Sequence, residues 1–293
     1  MKQVIWLPIQ FLLTCIGLFL FSGAGSLLMY DYELVINFAK YLHTLKQIFY
    51  NVMHPDSVLI KIGEGDKVYP IFPILLKLFG YSFLLLATSF ILAVAISVIA
   101  SYLFMFLPRR IYRALLRVLD LFDSLPDVLI VVLLQLFIIW LFKKTDILLF
   151  DIYTLGEEKI FVLPILCLSI LPIAFLTKHF LFQIREEKDK PYVEFSFSKG
   201  FSKAYTVWVH LFRNVWVQFY YHLKPIFLLM LSNLLIIEIL FNINGFMIAM
   251  LNTATDEPSA FFIGMLLVYI PFFILFNFWR LLIIKTSGGE VGV

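Results

Sequence analysis

The stretch "YVEFSFSKGFSKAYTVWVHLFRNVW", residues 192–216, is a soluble-looking interruption in a chain that is otherwise mostly oily, with Gly200 at its middle and Lys199 and Lys203 beside it. Around it, 62% of the 293 residues are apolar, 18% are aromatic and 15% are charged, and mean hydropathy is +0.95. Those proportions do not describe a soluble surface, so the chain reads as an integral membrane protein. The question is why such a chain keeps this segment out of the membrane.

A segment crosses the roughly 30 Å bilayer core as a helix of about 20 apolar residues, because its backbone N–H and C=O groups find no water there. Six segments meet that requirement. No charge falls between Lys2 and Asp31 or between Lys77 and Arg109, which gives spans near 4–29 and 78–107. A third runs over about 119–142 with Asp120, Asp123 and Asp127 at its start. A fourth, 160–182, contains Pro164 and Pro172; a fifth covers about 224–243 and is charge-free until Glu238; a sixth covers 258–284. The fold class expected is therefore all-α, a polytopic membrane protein with six transmembrane helices.

Lys and Arg near span ends are retained in the cytoplasm. The loop after the second span carries Arg109, Arg110, Arg113 and Arg117, and the loop after the fourth carries Arg185, Lys188, Lys190, Lys199, Lys203 and Arg213. Both are expected inside, with loops 31–77, 143–159 and 244–257 outside and both termini cytoplasmic. The N-terminal run ends in the small residues "SGAGS" but is long for a signal-peptide core, so it reads as a retained helix. In the first outer loop, "INFAKYLHTLKQIFYNV" places Ile36, Leu42, Leu45 and Phe49 at near-helical spacing, which predicts a surface-lying helix. The turn signals "HPDS" and "GEGD" then return the chain to the membrane.

Several chemistries find no support. A net charge of +3, spread along the chain, leaves no footprint for nucleic acid. His43, His54, His179, His210 and His222 are scattered without metal-ligand spacing, so no metal site is expected. Cys15 and Cys167 lie in apolar runs and behave as small hydrophobes. No nucleophile, base and orienting group cluster at one depth, and no GxxxxGK[ST] phosphate loop occurs, so neither catalytic nor cofactor-binding residues are expected.

Within 192–216, Ser202 is a good helix N-cap. At about 100° per residue, Tyr205, Trp208, Leu211, Phe212 and Val215 then fall on one side and Lys203, Thr206, His210, Arg213 and Asn214 on the other. Before Gly200, the run from Glu187 to Lys199 predicts another short helix, which Gly200 ends by taking positive φ at little steric cost. Periodicity alone leaves two readings open: an amphipathic connector on the headgroups, or a rigid knob that docks in a partner's groove.

This segment resembles the cytoplasmic EAA loop of permease subunits from bacterial ABC importers of the oligopeptide/dipeptide/nickel type. Tyr192, Val193, Ser196, Ser198, Lys199, Gly200, His210, Arg213 and Asn214 fit that loop without a gap. Glu238, Phe241 and Gly245 in "IIEILFNINGF" resemble its Glu-x-x-Phe-x-x-x-Gly, "DSLPDVLIVVLL" the opening of its third span, and "TATDEPSAFFIG" that of its sixth. The resemblance covers about residues 80–280. Ser196 and Ser198 stand where alanines are usual, Gln218 where a proline is, and Asn244 and Met247 where a Pro and a Gly are. The usual C-terminal acidic and Asp-Pro-Arg signature is absent.

The resemblance implies a type I importer permease fold in a bacterial inner membrane. It implies a first helix plus outer loop over 1–77, a permease core over 78–285 with a coupling loop at about 184–217, and a tail at 286–293. The implied partners are a second permease subunit as a heterodimer, two cytoplasmic ABC ATPase subunits and an extracellular solute-binding protein. The loop would be the coupling element, with Lys199, Gly200 and Lys203 near the ATPase and the face around Trp208 and Phe212 on the membrane domain. An autonomous carrier, with this loop a mere connector, is the competing class.

Five charges within or beside the spans need separate readings. Glu238 sits in an apolar run, where a carboxylate at the bilayer centre costs about 2.5 to 3.5 kcal/mol, so it lines a pathway or anchors the outer helix end. Asp120, Asp123 and Asp127 bracket "SLP", where carboxylates favour a helix start and Asp123 or Ser124 would cap the third span with Pro126 in its first turn, ahead of a proton-relay role. Lys178 is expected to snorkel to the headgroups.

Overall fold

The computed structural model describes residues 2–31, 33–61, 68–154 and 158–286. Its helices and short strands form two compact units, one from Met1–Ser82 with Asn244–Val293 and one from Phe83–Ile243.

The first unit holds α1 (Lys2–Ser22), the hairpin β1 (Leu28–Asp31) and β2 (Glu33–Ile36), α2 (Phe38–Met53), and the ribbon β3 (Leu59–Lys61) with β4 (Val68–Pro70). The first turns of α3 (Ile71–Phe104) follow. Later in the chain come α10 (Phe246–Asp256) and α11 (Pro258–Thr286). Aromatic contacts pack α1 on α11, with Phe11 and Tyr269 stacked at 5.7 Å and Phe19 edge-on to Phe262 at 5.6 Å. Below them Ile48, Ile60, Ile71, Leu75, Phe246 and Ala260 are buried. The surface helix expected in the outer loop is α2, capped by the Asn37 side chain, which accepts from the Lys40 N–H at 2.9 Å. Leu45 and Ile48 face inward, Leu42 and Phe49 stay exposed, and Asn51 donates to the Ser259 hydroxyl at 2.9 Å. The two short ribbons were not legible, because three- or four-residue strands carry too little alternation to register.

The second unit holds the rest of α3, then α4 (Arg109–Ser124), α5 (Asp127–Thr145), α6 (Val162–Lys188), α7 (Pro191–Ser198), α8 (Lys203–Tyr205) and α9 (Phe212–Leu240). Its centre is the crossing of α6 and α9, where Phe180 and Phe219 are fully buried with rings 3.9 Å apart. Small hydroxylated residues bring α3 close to α6: Ser89 donates to the Ile165 carbonyl at 3.3 Å and Ser101 to the Thr177 carbonyl at 3.4 Å. Such residues are typical of helix contacts in lipid, where close backbone approach and cross-helix hydrogen bonds replace the hydrophobic drive.

Among the described residues five helices are long and apolar enough to cross a membrane: Ile71–Phe104, Asp127–Thr145, Val162–Lys188, Gln218–Leu240 and Pro258–Trp279. Helix α1 contributes a shorter apolar run, Trp6–Ser22. Three boundaries correct the sequence reading. The helix expected over 4–29 ends at Ser22, where Gly23 and a tight turn over Ala24–Leu27 lead into β1. The third span starts at Asp127, not near 119, because Pro126 holds Leu125 extended at φ −92° and ψ 138° and breaks the chain into α4 and α5. The helix expected over 187–199 is split, with α6 running to Lys188 and Pro191 starting α7 at a position where its missing N–H costs nothing. The tail expected at 286–293 lies, beyond Thr286, outside the described residues.

Candidate functional site

The Gly200 turn is built by a complete Schellman motif. Gly200 takes φ +81°, its N–H donates to the Phe197 carbonyl at 2.9 Å, and the Phe201 N–H donates to the Ser196 carbonyl at 3.3 Å. Ser202 then caps the next helix, its hydroxyl accepting from the Tyr205 N–H at 3.3 Å. The expected helix, Gly turn, helix is present, and its second arm passes through Thr206–Leu211 into the long α9.

That connecting segment is π-helical, and it overturns the expected division of faces. Thr206, placed on the polar side by a regular 100° wheel, is fully buried, and its hydroxyl lies 2.8 Å from that of buried Ser196. Tyr205 and Trp208, placed on the packed side, are exposed, Trp208 at 58%. An i→i+5 turn holds about one residue more than an α turn, so every side chain through it rotates away from α-helical spacing. Leu211, Phe212 and Val215 remain buried as expected. Phe212 stacks on Phe180 at 5.4 Å.

Tyr192 fixes the other arm. Its hydroxyl donates to Glu187 Oε2 at 2.6 Å, and Asn214 and Arg213 are close enough to act on it. Glu187 is buried and also holds Lys190. Burial pushes the Tyr192 phenol up to about 12, and its bond to Glu187 adds to the rise. Arg213 and Asn214 thus lie near the Tyr192 hydroxyl, which is held by a carboxylate, Glu187, that sequence reasoning had not singled out.

The remaining loop residues divide by what they touch. Lys203 reaches back to the Met105 carbonyl, just past the end of α3, and lies 5.1 Å from the Phe106 ring centre. A cation there is favoured by the orphan carbonyls of a helix end. Lys199 lies over the Phe195 ring at 4.4 Å. Ser198 donates to the Glu194 carbonyl of its own helix at 3.0 Å, and His210 is edge-on to Tyr205 at 5.7 Å. What the turn offers outward is mainly aromatic: Phe195, Phe197, Phe201 and Tyr205 are all exposed, with Phe201 and Tyr205 stacked at 4.8 Å.

The acidic residues proposed as caps do other work. Asp120 and Asp123, in the last turns of α4, both bind Lys178 of α6, at 2.6 and 2.8 Å. Lys178 is thus an interhelical bridge, and α5 starts at Asp127 behind Pro126, with no side-chain cap. Asp127 accepts from the Asn233 side chain of α9. This pair borders a crevice of about 20 Å³ that Cys167, Leu168 and Pro172 also line, room for roughly one water. Glu238 is fully buried in the last turn of α9. Its carbonyl accepts from the Ile243 N–H at 2.8 Å in a second Schellman-type end, with Asn242 in the left-handed position at φ 52°. The rings of His179 and His222, distant in sequence, lie 4.3 Å apart and tilted by 30°. No group of three or more His, Cys, Asp or Glu residues could hold a metal among the described residues.

Long apolar helices crossing one another, with a capped helix–glycine–helix element at the end of two of them, define a polytopic helical membrane protein. Residues 93–286 match the family described as "Binding-protein-dependent transport system inner membrane component". The chain belongs to that family, the permease components of ABC importers, which work with ATPase subunits and a binding protein. No curated protein matches the chain.

Proposed function

We propose that this chain forms half of the translocation pathway of an ATP-driven importer and receives the ATPase stroke at the loop around Gly200. The observation that carries this reading is the build of that loop. Its turn is closed by backbone hydrogen bonds, its arms are joined by Ser196 and Thr206, and its second arm continues into the membrane helix α9. A push on such an element moves α9 as a rigid body, as transitions between inward-open and outward-open states require. The exposed rings of Phe195, Phe197, Phe201 and Tyr205 are the surface for the ATPase groove, with Lys199 beside them.

The rest of the assembly follows the family resemblance. Six spans, with α1 as the first, put both termini and the coupling loop (184–217) in the cytoplasm of a bacterial cell, and the permease core is 78–285. The partners are a second permease as heterodimer, two ABC ATPases and an extracellular solute-binding protein. The substrate class is oligopeptides or dipeptides, delivered by the binding protein, and this chain carries no ATPase motif of its own.

The chain should co-purify with an ATPase from mild detergent. Gly200→Pro and Gly200→Asp should abolish ATP-dependent uptake while membrane insertion stays normal. Wild-type uptake in both variants overturns the coupling assignment.

A further inference from the structure

Helix α4 joins two membrane spans with almost no slack. It starts at Arg109, a few residues after α3 ends at Phe104, and only Leu125 and Pro126 separate it from α5. Its 16 residues cover about 24 Å. Both ends are therefore held where spans meet one face of the bilayer, and the helix has no linker with which to leave that face.

Three arcs of its surface bear on what it meets. At about 100° per residue, Arg109, Arg110, Arg113 and Arg117 fall within an arc of about 100° that also holds Asp120, and all five are exposed. Next to them come Ile111, Ala114, Val118 and Leu121, also exposed. The third arc, with Leu115, Leu119 and Phe122, is partly buried. Asp120 and Asp123, the acidic residues of α4, are both paired with Lys178 of α6, so they do not neutralise the four arginines. Among the described residues no ion pair involves these four guanidinium groups.

We propose that this face of α4 is a binding site for anionic phospholipid headgroups. Guanidinium groups pair bidentately with phosphate oxygens, and an aliphatic arc beside them enters the boundary between headgroup and acyl chain. A basic cluster on an amphipathic helix beside a membrane span is the arrangement that anionic lipid attracts. The aliphatic arc decides between lipid and an acidic protein surface: a soluble acidic partner would match the arginines and leave Ile111, Val118 and Leu121 against water. The inference does not depend on the coupling role of the Gly200 loop and holds for either orientation of the chain.

The test uses the full chain in nonionic detergent, titrated with phosphatidylglycerol or phosphatidylcholine and read by native mass spectrometry of bound lipid. Wild type should prefer phosphatidylglycerol by tenfold or more, less at high salt. Each basic residue near an anionic surface is worth roughly a fivefold factor, so the triple variant R110Q/R113Q/R117Q should lose most of the preference. The matching triple Lys variant, which conserves charge, should keep part of it, and inorganic phosphate at equal ionic strength should compete no better than chloride. Ile111→Ser with Val118→Ser should weaken both lipids alike. An undiminished preference in the Gln variant overturns the proposal. So does protection of these arginines from phenylglyoxal by an added ATPase or a second chain copy but not by phosphatidylglycerol.

Discussion

The Ser196 and Thr206 hydroxyls lie 2.8 Å apart, both buried, so the two arms of the Gly200 turn are tied together on their inner side. Removing one hydroxyl leaves the other unpaired where water cannot replace it. Thr206→Val should cost about 1–3 kcal/mol, and adding Ser196→Ala should recover most of that loss. Hydrogen exchange of the amides over 196–206 is the readout, and equal protection in the single and double variants would contradict the tie.

The second prediction concerns pH. With its phenol pushed up to about 12 by burial and by Glu187, Tyr192 holds its proton more tightly in the folded chain than in the unfolded one. That contribution is complete below about pH 10, the ordinary tyrosine value, and is lost as pH rises through about 12. Over that window wild type should lose more stability than Tyr192→Phe. The difference in their tyrosinate absorbance titrations should contain one group near 12, and a group near 10 would refute the prediction.

The Lys178 bridge should be modest in energy and specific in partner. Its charged ends are partly exposed, and such pairs contribute about 0–1 kcal/mol each. Lys178→Gln should therefore lower stability by about 1 kcal/mol or less, and Asp120→Asn should change little further in that background. Unfolding by SDS titration of the four proteins of this double-mutant cycle gives the coupling. Strict additivity would show that the bridge contributes nothing.

A Cβ added at Gly264 of α11 would overlap the Met250 thioether of α10. Overpacking of this kind costs about 1–3 kcal/mol. The overlap falls on the end of a flexible side chain that can swing aside, so Gly264→Ala should destabilise by about 1 kcal/mol, the low end of that range, and pairing it with Met250→Ala should give a loss smaller than the sum of the two single losses. The same SDS titration measures it; additive losses would show that thioether and methyl do not compete for one space.

Much of this was legible in the chain itself. The apolar runs had to be helices because lipid offers no partner to a backbone amide, and the spans beginning in α3 and ending in α11 follow from the gaps between charges. The Gly200 turn and the Ser202 cap were equally plain, since both depend on backbone geometry within a few residues. Composition could not reveal that the third span starts after Pro126, or that α4 is a separate amphipathic helix. A basic run followed by apolar residues looks the same whether it is a loop or a helix.

Sequence alone determined a helical membrane protein with a glycine-centred turn between short helices, because hydrophobic length and left-handed turns are local demands. Tertiary structure decided which residues face which way. The π turn at Thr206–Leu211 buries Thr206 and exposes Trp208 against α-helical periodicity. Lys178 meets Asp120 and Asp123 from 55 or more residues away, and Tyr192 finds Glu187 and Asn214. Those partnerships depend on how helices cross and roll, and helix crossing is set by side-chain packing over the whole unit rather than by any short stretch of the chain.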